Sequence, residues 1–105
     1  MIFNILNFIP FKIFGRSKDW SSVRKEHLIN FPSCAACGKT TKLEVHHIKP
    51  YHIDPNLELD PDNLITLCAD PCHLIFGHLK HWKSWNVDVK EDCEKYLFKL
   101  RHRPQ

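Results

Sequence analysis

The spacing of apolar and polar residues predicts one helix and two short strands in the first two thirds of the chain. A helix is predicted over roughly residues 18–30, after Ser17, which can cap it. The residues that recur at helical spacing and form its expected inner face are Trp20, Val23, His27 or Leu28, and Phe31. Apolar and polar residues then alternate over residues 42–48, which is the period of a strand, and Pro50 ends that alternation. Residues 64–67 are short and apolar enough for a second strand.

The segment between the two strands, residues 51–63, contains two Asp-Pro pairs and is predicted to be an ordered loop. A second helix is predicted from Pro71 or Cys72 to about Trp82. A last helix is predicted to begin near Asp88, with Glu91 three residues on as in a capping box. Its expected inner face, in which Cys93 is a packed thiol, comprises Val89, Cys93, Tyr96, Leu97 and Leu100.

A length of 105 residues predicts one domain with a small core. We expect residues 1–16 to form an apolar extension, residues 17–100 a single domain, and residues 101–105 a basic tail. The extension is interrupted by Asn4, Asn7, Pro10 and Lys12, is too short to span a bilayer, and lacks the features of a cleavable signal. We therefore expect no transmembrane segment. The extension is predicted to pack on the domain or on a partner, with contact to a membrane surface as the alternative.

The net charge of +3 is only weakly basic and does not by itself indicate a nucleic-acid partner. Basic residues gather near both ends of the chain, but most such charges are solvated helix faces. The candidate chemistry therefore has to come from cysteine and histidine.

Four of the five cysteines form two close pairs, Cys34 with Cys37 and Cys68 with Cys72. Two cysteines on one tight turn can present both sulfurs to a tetrahedral ion, and the three residues within the second pair keep it in that range. This pattern predicts a structural zinc site. The alternatives are thiol redox chemistry or disulfides, and the odd total with no secretory signal argues against disulfides.

Three histidines accompany the cysteines. His46 and His47 are adjacent in a predicted strand, so their side chains should point to opposite sides and cannot easily bind one ion together. One of them can then bind a metal while the other acts on a water molecule. His73 begins the predicted second helix and can lie opposite His46, which leaves open coordination positions. The alternative is that these side chains only cap or pack.

The segments CAAC, LEVHHIKP, the DNL of residues 62–64, LITLC and the CH of residues 72–73 resemble the HNH endonuclease family. The resemblance covers residues 32–82. It implies a small α+β domain of the ββα-metal fold, also called His-Me finger and treble-clef-like, braced by the four-cysteine zinc site and flanked by helices. It also implies hydrolysis of phosphodiester bonds in DNA by a metal-dependent nuclease.

Carried over to this chain, the resemblance implies that His47 is the general base and that Asn63 orients it. His46 and His73 correspond to the ligands of a catalytic divalent ion. The candidate ions are Mg²⁺, Mn²⁺, Ni²⁺ and Zn²⁺, and the sequence does not rank them. His78 is a further candidate ligand, although five residues place it about 140° from His73 around an ideal α-helix. The longer spacing of CADPC departs from the tightest form of the motif and leaves the geometry of Cys68 open.

A second class of function stays open, namely a zinc-stabilised module that binds DNA or a protein without cleaving. The sequence also leaves open whether the chain has a protein partner or forms a homodimer. It does not indicate the target sequence, nor whether one strand of DNA is nicked or both strands are cut. Similar compact proteins occur in phage and bacterial genomes, so we expect a phage or mobile-element setting and a cytoplasmic location in a bacterial or phage-infected cell.

Overall fold

The computed structural model describes residues 17–103, so the expected packing of the apolar extension 1–16 lies outside the described residues. The described chain is a small α+β unit built on one two-stranded sheet, which confirms the predicted fold class. Its elements are helix α1 (Trp20–Asn30), strand β1 (Leu43–His47), strand β2 (Leu64–Cys68), a π-helical turn (His73–Gly77) and helix α2 (Val89–Arg101). No helix within residues 17–103 has the length and apolar character needed to cross a membrane.

The two strands form an antiparallel hairpin in which Leu43 pairs with Cys68 and His47 pairs with Leu64. This register puts a cysteine at one end of the hairpin and a histidine at the other. All five residues of β2 are buried, because α1 packs on the hairpin from one side and the π-helical turn from the other. The hairpin is thus the frame on which both predicted clusters are mounted.

The loop between the strands is ordered, as predicted, by its two Asp-Pro pairs. The side chains of Asp54 and Asp60 accept hydrogen bonds from the backbone N–H groups of Asn56 and Asp62. Each aspartate opens a short 3₁₀ turn with proline at its start, where the fixed φ of proline suits the turn. These turns bring the loop back over the end of β1.

Helix α1 begins two residues later than predicted, and fewer of its apolar residues are buried than the sequence predicts. The hydroxyl of Ser17 accepts a hydrogen bond from the backbone N–H of Asp19, one residue before the helix. His27 is the buried residue of α1, whereas Phe31, which was expected on the inner face, is 58% exposed. The helix ends at Asn30, and the chain leaves helical geometry at Phe31, so that ring no longer follows the buried face.

Helix α2 is not capped in the predicted way. The side chain of Asp88 makes no capping hydrogen bond. Asn86 instead fixes the residues that lead into the helix, because its Oδ1 accepts from the Asp88 N–H while its Nδ2 donates to Phe76 O and Asp92 Oδ2. The predicted packing of Cys93 is confirmed at 1% exposure, whereas Tyr96 is 41% exposed instead of buried.

The helix predicted to run to Trp82 is also corrected. Helical winding stops at His78, and Leu79 and Lys80 adopt positive φ angles of 54° and 69°, which ends any right-handed helix. The winding between His73 and Gly77 is that of a π-helix, which is wider than the α-helix assumed from the sequence. That change determines where His78 lies.

Candidate metal centres

The first cluster consists of the four predicted zinc ligands, Cys34, Cys37, Cys68 and Cys72, whose sulfur atoms all lie within 4.8 Å of one another. The Sγ atoms of Cys37 and Cys68 are 3.9 Å apart. Tetrahedral Zn–S bonds of about 2.3 Å place two sulfurs about 3.8 Å apart, which is close to this distance, so the cluster could hold such an ion. The extra residue in CADPC therefore does not keep the second pair from joining the first.

The turn carrying Cys34 and Cys37 is shaped by Gly38, whose φ of 81° favours glycine and whose N–H donates to Cys34 O at 2.9 Å. Burial acts to raise the pKa of the Cys34 thiol, but backbone N–H groups that point at its sulfur lower it to about 7. One of these is the N–H of Cys37, 3.5 Å from Cys34 Sγ. These N–H groups thus favour the thiolate of Cys34, which is the form that binds metal.

The second cluster brings together three histidines, His46 from β1 and His73 and His78 from the two ends of the π-helical turn. Their facing ring nitrogens all lie within 4.8 Å. His73 Nε2 is 3.1 Å from His46 Nδ1 and 3.3 Å from His78 Nε2. Metal–nitrogen bonds of about 2.0–2.1 Å in a tetrahedral site place two nitrogens about 3.3 Å apart. The spacing of the three imidazoles therefore matches that of ligands to one ion.

The outer hydrogen bonds of two of these rings determine which nitrogen carries the proton. His73 Nδ1 lies 2.7 Å from Glu44 Oε1, and His78 Nδ1 lies 2.7 Å from Ser84 O. The Ser84 carbonyl, and Glu44 when ionised, can only accept, so both rings donate from Nδ1, and each ring, when neutral, carries its lone pair on Nε2. Those lone pairs then face each other at 3.3 Å, an arrangement that a cation between them stabilises.

The ring of His46 is buried against Gly77. A Cβ atom on Gly77 would lie 3.0 Å from His46 Cε1, so a larger residue would require the ring to shift by a few tenths of an ångström. Burial, followed by the neighbouring His73, His78 and His47, lowers the pKa of His46 to about 3. His46 Nε2 is buried without a hydrogen-bond partner among the described residues. The ring is neutral, as a metal ligand must be.

His47 points to the other side of β1, as the strand pattern predicts. Its Nε2 lies 2.9 Å from the carbonyl oxygen of Glu58, and its ring packs against that of Trp20 at a centroid distance of 4.5 Å. Because a carbonyl can only accept, Nε2 carries the proton, and a neutral ring has its lone pair on Nδ1. His47 is 8% exposed and, like His46, borders a cavity of about 530 Å³.

Asn63 contacts the backbone beside His47. Its Nδ2 donates to Lys49 O at 3.0 Å and Leu57 O at 3.2 Å, and its Oδ1 accepts from the Lys49 N–H at 2.8 Å. These bonds fix Leu57, the residue before Glu58, against the chain that leaves β1. The contact to the His47 ring itself comes from Glu58.

Two features of this site were missed from the sequence. Glu44 is two residues before His46 and shares its face of β1, so strand periodicity could have identified it. Glu58 is buried, and its carboxylate oxygens each accept from the Ser17 N–H at 3.1 Å while its carbonyl faces His47. No local sequence signal indicates the contact between the Glu58 carbonyl and His47, because this contact depends on how the loop folds back.

Both clusters lie within one recognised family segment. Residues 34–79 match the family model described as HNH endonuclease, which confirms the resemblance seen in the sequence. No curated protein and no solved structure matches the chain. Residues 34–79 are therefore similar to an HNH endonuclease domain, a type of domain associated with nuclease activity on DNA and with divalent metals.

Proposed function

We propose that this HNH domain is a metal-dependent endonuclease that hydrolyses phosphodiester bonds of DNA, with His47 as the general base. A divalent ion is held by His46 and His73, with His78 as the third ligand, and a structural zinc is held by the four cysteines. The observation that carries the proposal is the geometry of the histidines, since His73 Nε2 and His78 Nε2 lie 3.3 Å apart and the same cavity is bordered by His47.

The bound ion would neutralise charge on the phosphate and on the departing 3′ oxygen. His47 removes a proton from the attacking water through Nδ1, because its Nε2–H is engaged with the Glu58 carbonyl. The products then carry a 5′ phosphate and a 3′ hydroxyl. Asn63 serves as a positioning residue by holding Leu57, and hence Glu58, in place.

A second candidate function is a zinc-stabilised module that binds DNA or a protein without cleaving. The observation in its favour is that His47 is only 8% exposed and packs against Trp20, as a structural histidine would. It leaves unexplained why three more histidines gather beside the same cavity. For either function, the expected setting is the cytoplasm of a bacterial or phage-infected cell.

The test is cleavage of supercoiled plasmid by wild type and His47→Ala, each with EDTA, Mg²⁺, Mn²⁺ or Ni²⁺. Loss of a general base typically costs about 10²–10⁴-fold in rate, so His47→Ala should lose that much while keeping its zinc and melting temperature. His81→Ala is the matched control, because His81 is exposed and lies outside the histidine cluster. Cleavage by His47→Ala at the wild-type rate would refute the assignment, and wild type that stays inert with every ion would favour the binding module.

A further inference from the structure

The cavity beside the histidine cluster has an aromatic rim that the proposed chemistry does not use. Its lining includes Tyr51, Trp82 and Trp85, together with His52 and Lys83. None of the twelve described lining residues is acidic. The rim thus combines flat apolar rings with a positive charge, which suits a ligand that is aromatic and anionic.

Trp82 is the most informative of these residues. Its ring lies 5.3 Å from that of His73 and 4.9 Å from that of His78, measured between centroids. The residue is nevertheless 59% exposed, so part of the large ring remains open to a ligand. An exposed tryptophan packed beside a candidate catalytic centre is the arrangement used to stack on nucleobases.

The distances favour a base belonging to the nucleotide at the site of cleavage. A phosphate bound at His73 and His78 would lie within one nucleotide of the exposed ring of Trp82. The cavity volume of about 530 Å³ falls in the range of about 300–1,000 Å³ that encloses small organic ligands. One nucleotide is of that size.

Paired bases in duplex DNA have their flat faces covered by their neighbours. A base can stack on a protein ring only when it is unpaired or turned out of the helix, which costs a few kcal/mol in intact duplex. We propose that the aromatic rim, through Trp82, binds an unpaired base next to the scissile phosphate, so that single-stranded or locally unpaired DNA is preferred to intact duplex. The proposal names the substrate class of the nuclease proposed above and rests on it.

The experiment measures binding separately from cleavage, using full-length protein with its metals in a His47→Ala background. The probes are a single-stranded oligonucleotide, the same sequence as a perfect duplex, and a duplex with a central unpaired stretch, each with 2-aminopurine as a stacking reporter. Replacing a stacking aromatic residue by alanine removes the stacking of one base, and this loss raises Kd by about 5- to 150-fold. We expect Trp82→Ala to weaken binding of the two unpaired probes by that factor and that of the duplex by less than about twofold.

Two further variants separate stacking from support of the metal site. Trp82→Phe keeps a ring and should retain most of the affinity and the 2-aminopurine quenching. Phe98→Ala removes an aromatic side chain of α2 that has a similar exposure, 61%, and that stacks on His102, and it should change neither. Cobalt binding, followed by its absorption spectrum, should stay within about twofold of the parent in Trp82→Ala.

Unchanged binding of unpaired probes by Trp82→Ala would overturn the proposal. An equal loss on duplex and unpaired probes, or a loss that follows weakened cobalt binding, would overturn it as well, because Trp82 would then only support the histidines. The result is independent of the nuclease test. Binding of unpaired DNA that depends on Trp82 in a protein that never cleaves would refute the nuclease and keep the base site.

Discussion

The two clusters occupy opposite ends of the same hairpin and differ in how the chain surrounds them. At one end, Cys34, Cys68 and Cys72 are buried within the core, where they pack with Leu67 and Val89. At the other end, the three histidines border an open cavity, and the ligands come from β1 and a π-helical turn.

This difference is the one expected between a closed structural metal site and an open reactive one. Four thiols fill a tetrahedral coordination shell and leave no position for a substrate, as in closed zinc sites. Three imidazoles beside a cavity leave at least one position open, as catalytic sites require. The domain thus has one end suited to stability and one suited to chemistry, and substitutions at the two ends should have separable effects.

The largest expected effect is that of Cys37→Ala on folding. A structural zinc contributes about 10–16 kcal/mol in small domains, whereas net stabilities are about 5–15 kcal/mol, so the variant should lose its zinc and its cooperative melting transition. Thermal unfolding with zinc analysis measures this. Cys93→Ala is the control, because Cys93 is buried outside the cluster and should cost about 1–2 kcal/mol with zinc retained. A folded, zinc-loaded Cys37→Ala protein would contradict the four-cysteine assignment.

At the open end, His78→Ala should weaken binding of the second metal without unfolding the domain. Removing a group that hydrogen-bonds to a metal ligand already lowers metal affinity by about 10–100-fold. Loss of a ligand itself should therefore lower the affinity by more than about 100-fold. Calorimetric titration of zinc-loaded protein with a second divalent ion gives the value. His81→Ala, three residues along the chain, should bind like wild type, and equal affinities in the two variants would exclude His78 as a ligand.

The sequence predicts each of the two sites only where the segment that carries its residues has a clear periodicity or spacing. Alternation in β1 correctly separated His46 from His47, and cysteine spacing correctly predicted one four-thiol cluster. The position of His78 could not be predicted, because five residues are too few to distinguish π-helical from α-helical winding by pattern. The hydrogen bonds of Asn86 before α2 were missed for a related reason, since its partners include Phe76, ten residues away.

A glycine at each end sharpens the comparison further. In Gly77→Ala the new Cβ would lie 3.0 Å from His46 Cε1, so the ring must move, which should cost about 1–3 kcal/mol and lower affinity for the second metal. In Gly38→Ala the Cβ meets nothing within 4 Å, but φ is 81°, so about 1–2 kcal/mol of backbone strain should appear with the histidine site unchanged. Chemical denaturation and metal titration of both variants distinguish the two causes. Equal metal affinity in both would show that Gly77 does not make room for His46.

The smallest expected effect is that of Glu44→Gln, which keeps an acceptor for His73 Nδ1 but removes its charge. A carboxylate behind a metal-bound histidine raises the basicity of the ligand and fixes its tautomer, so we expect the affinity for the second metal to fall by about tenfold. Stability should hardly change, because the Glu44 side chain is 46% exposed and such ion pairs contribute little. Glu91→Gln, an exposed charge change on α2, serves as the control for net charge. A drop in metal affinity of the same size in both variants would mean that overall charge, and not the Glu44–His73 contact, tunes the open end of the hairpin.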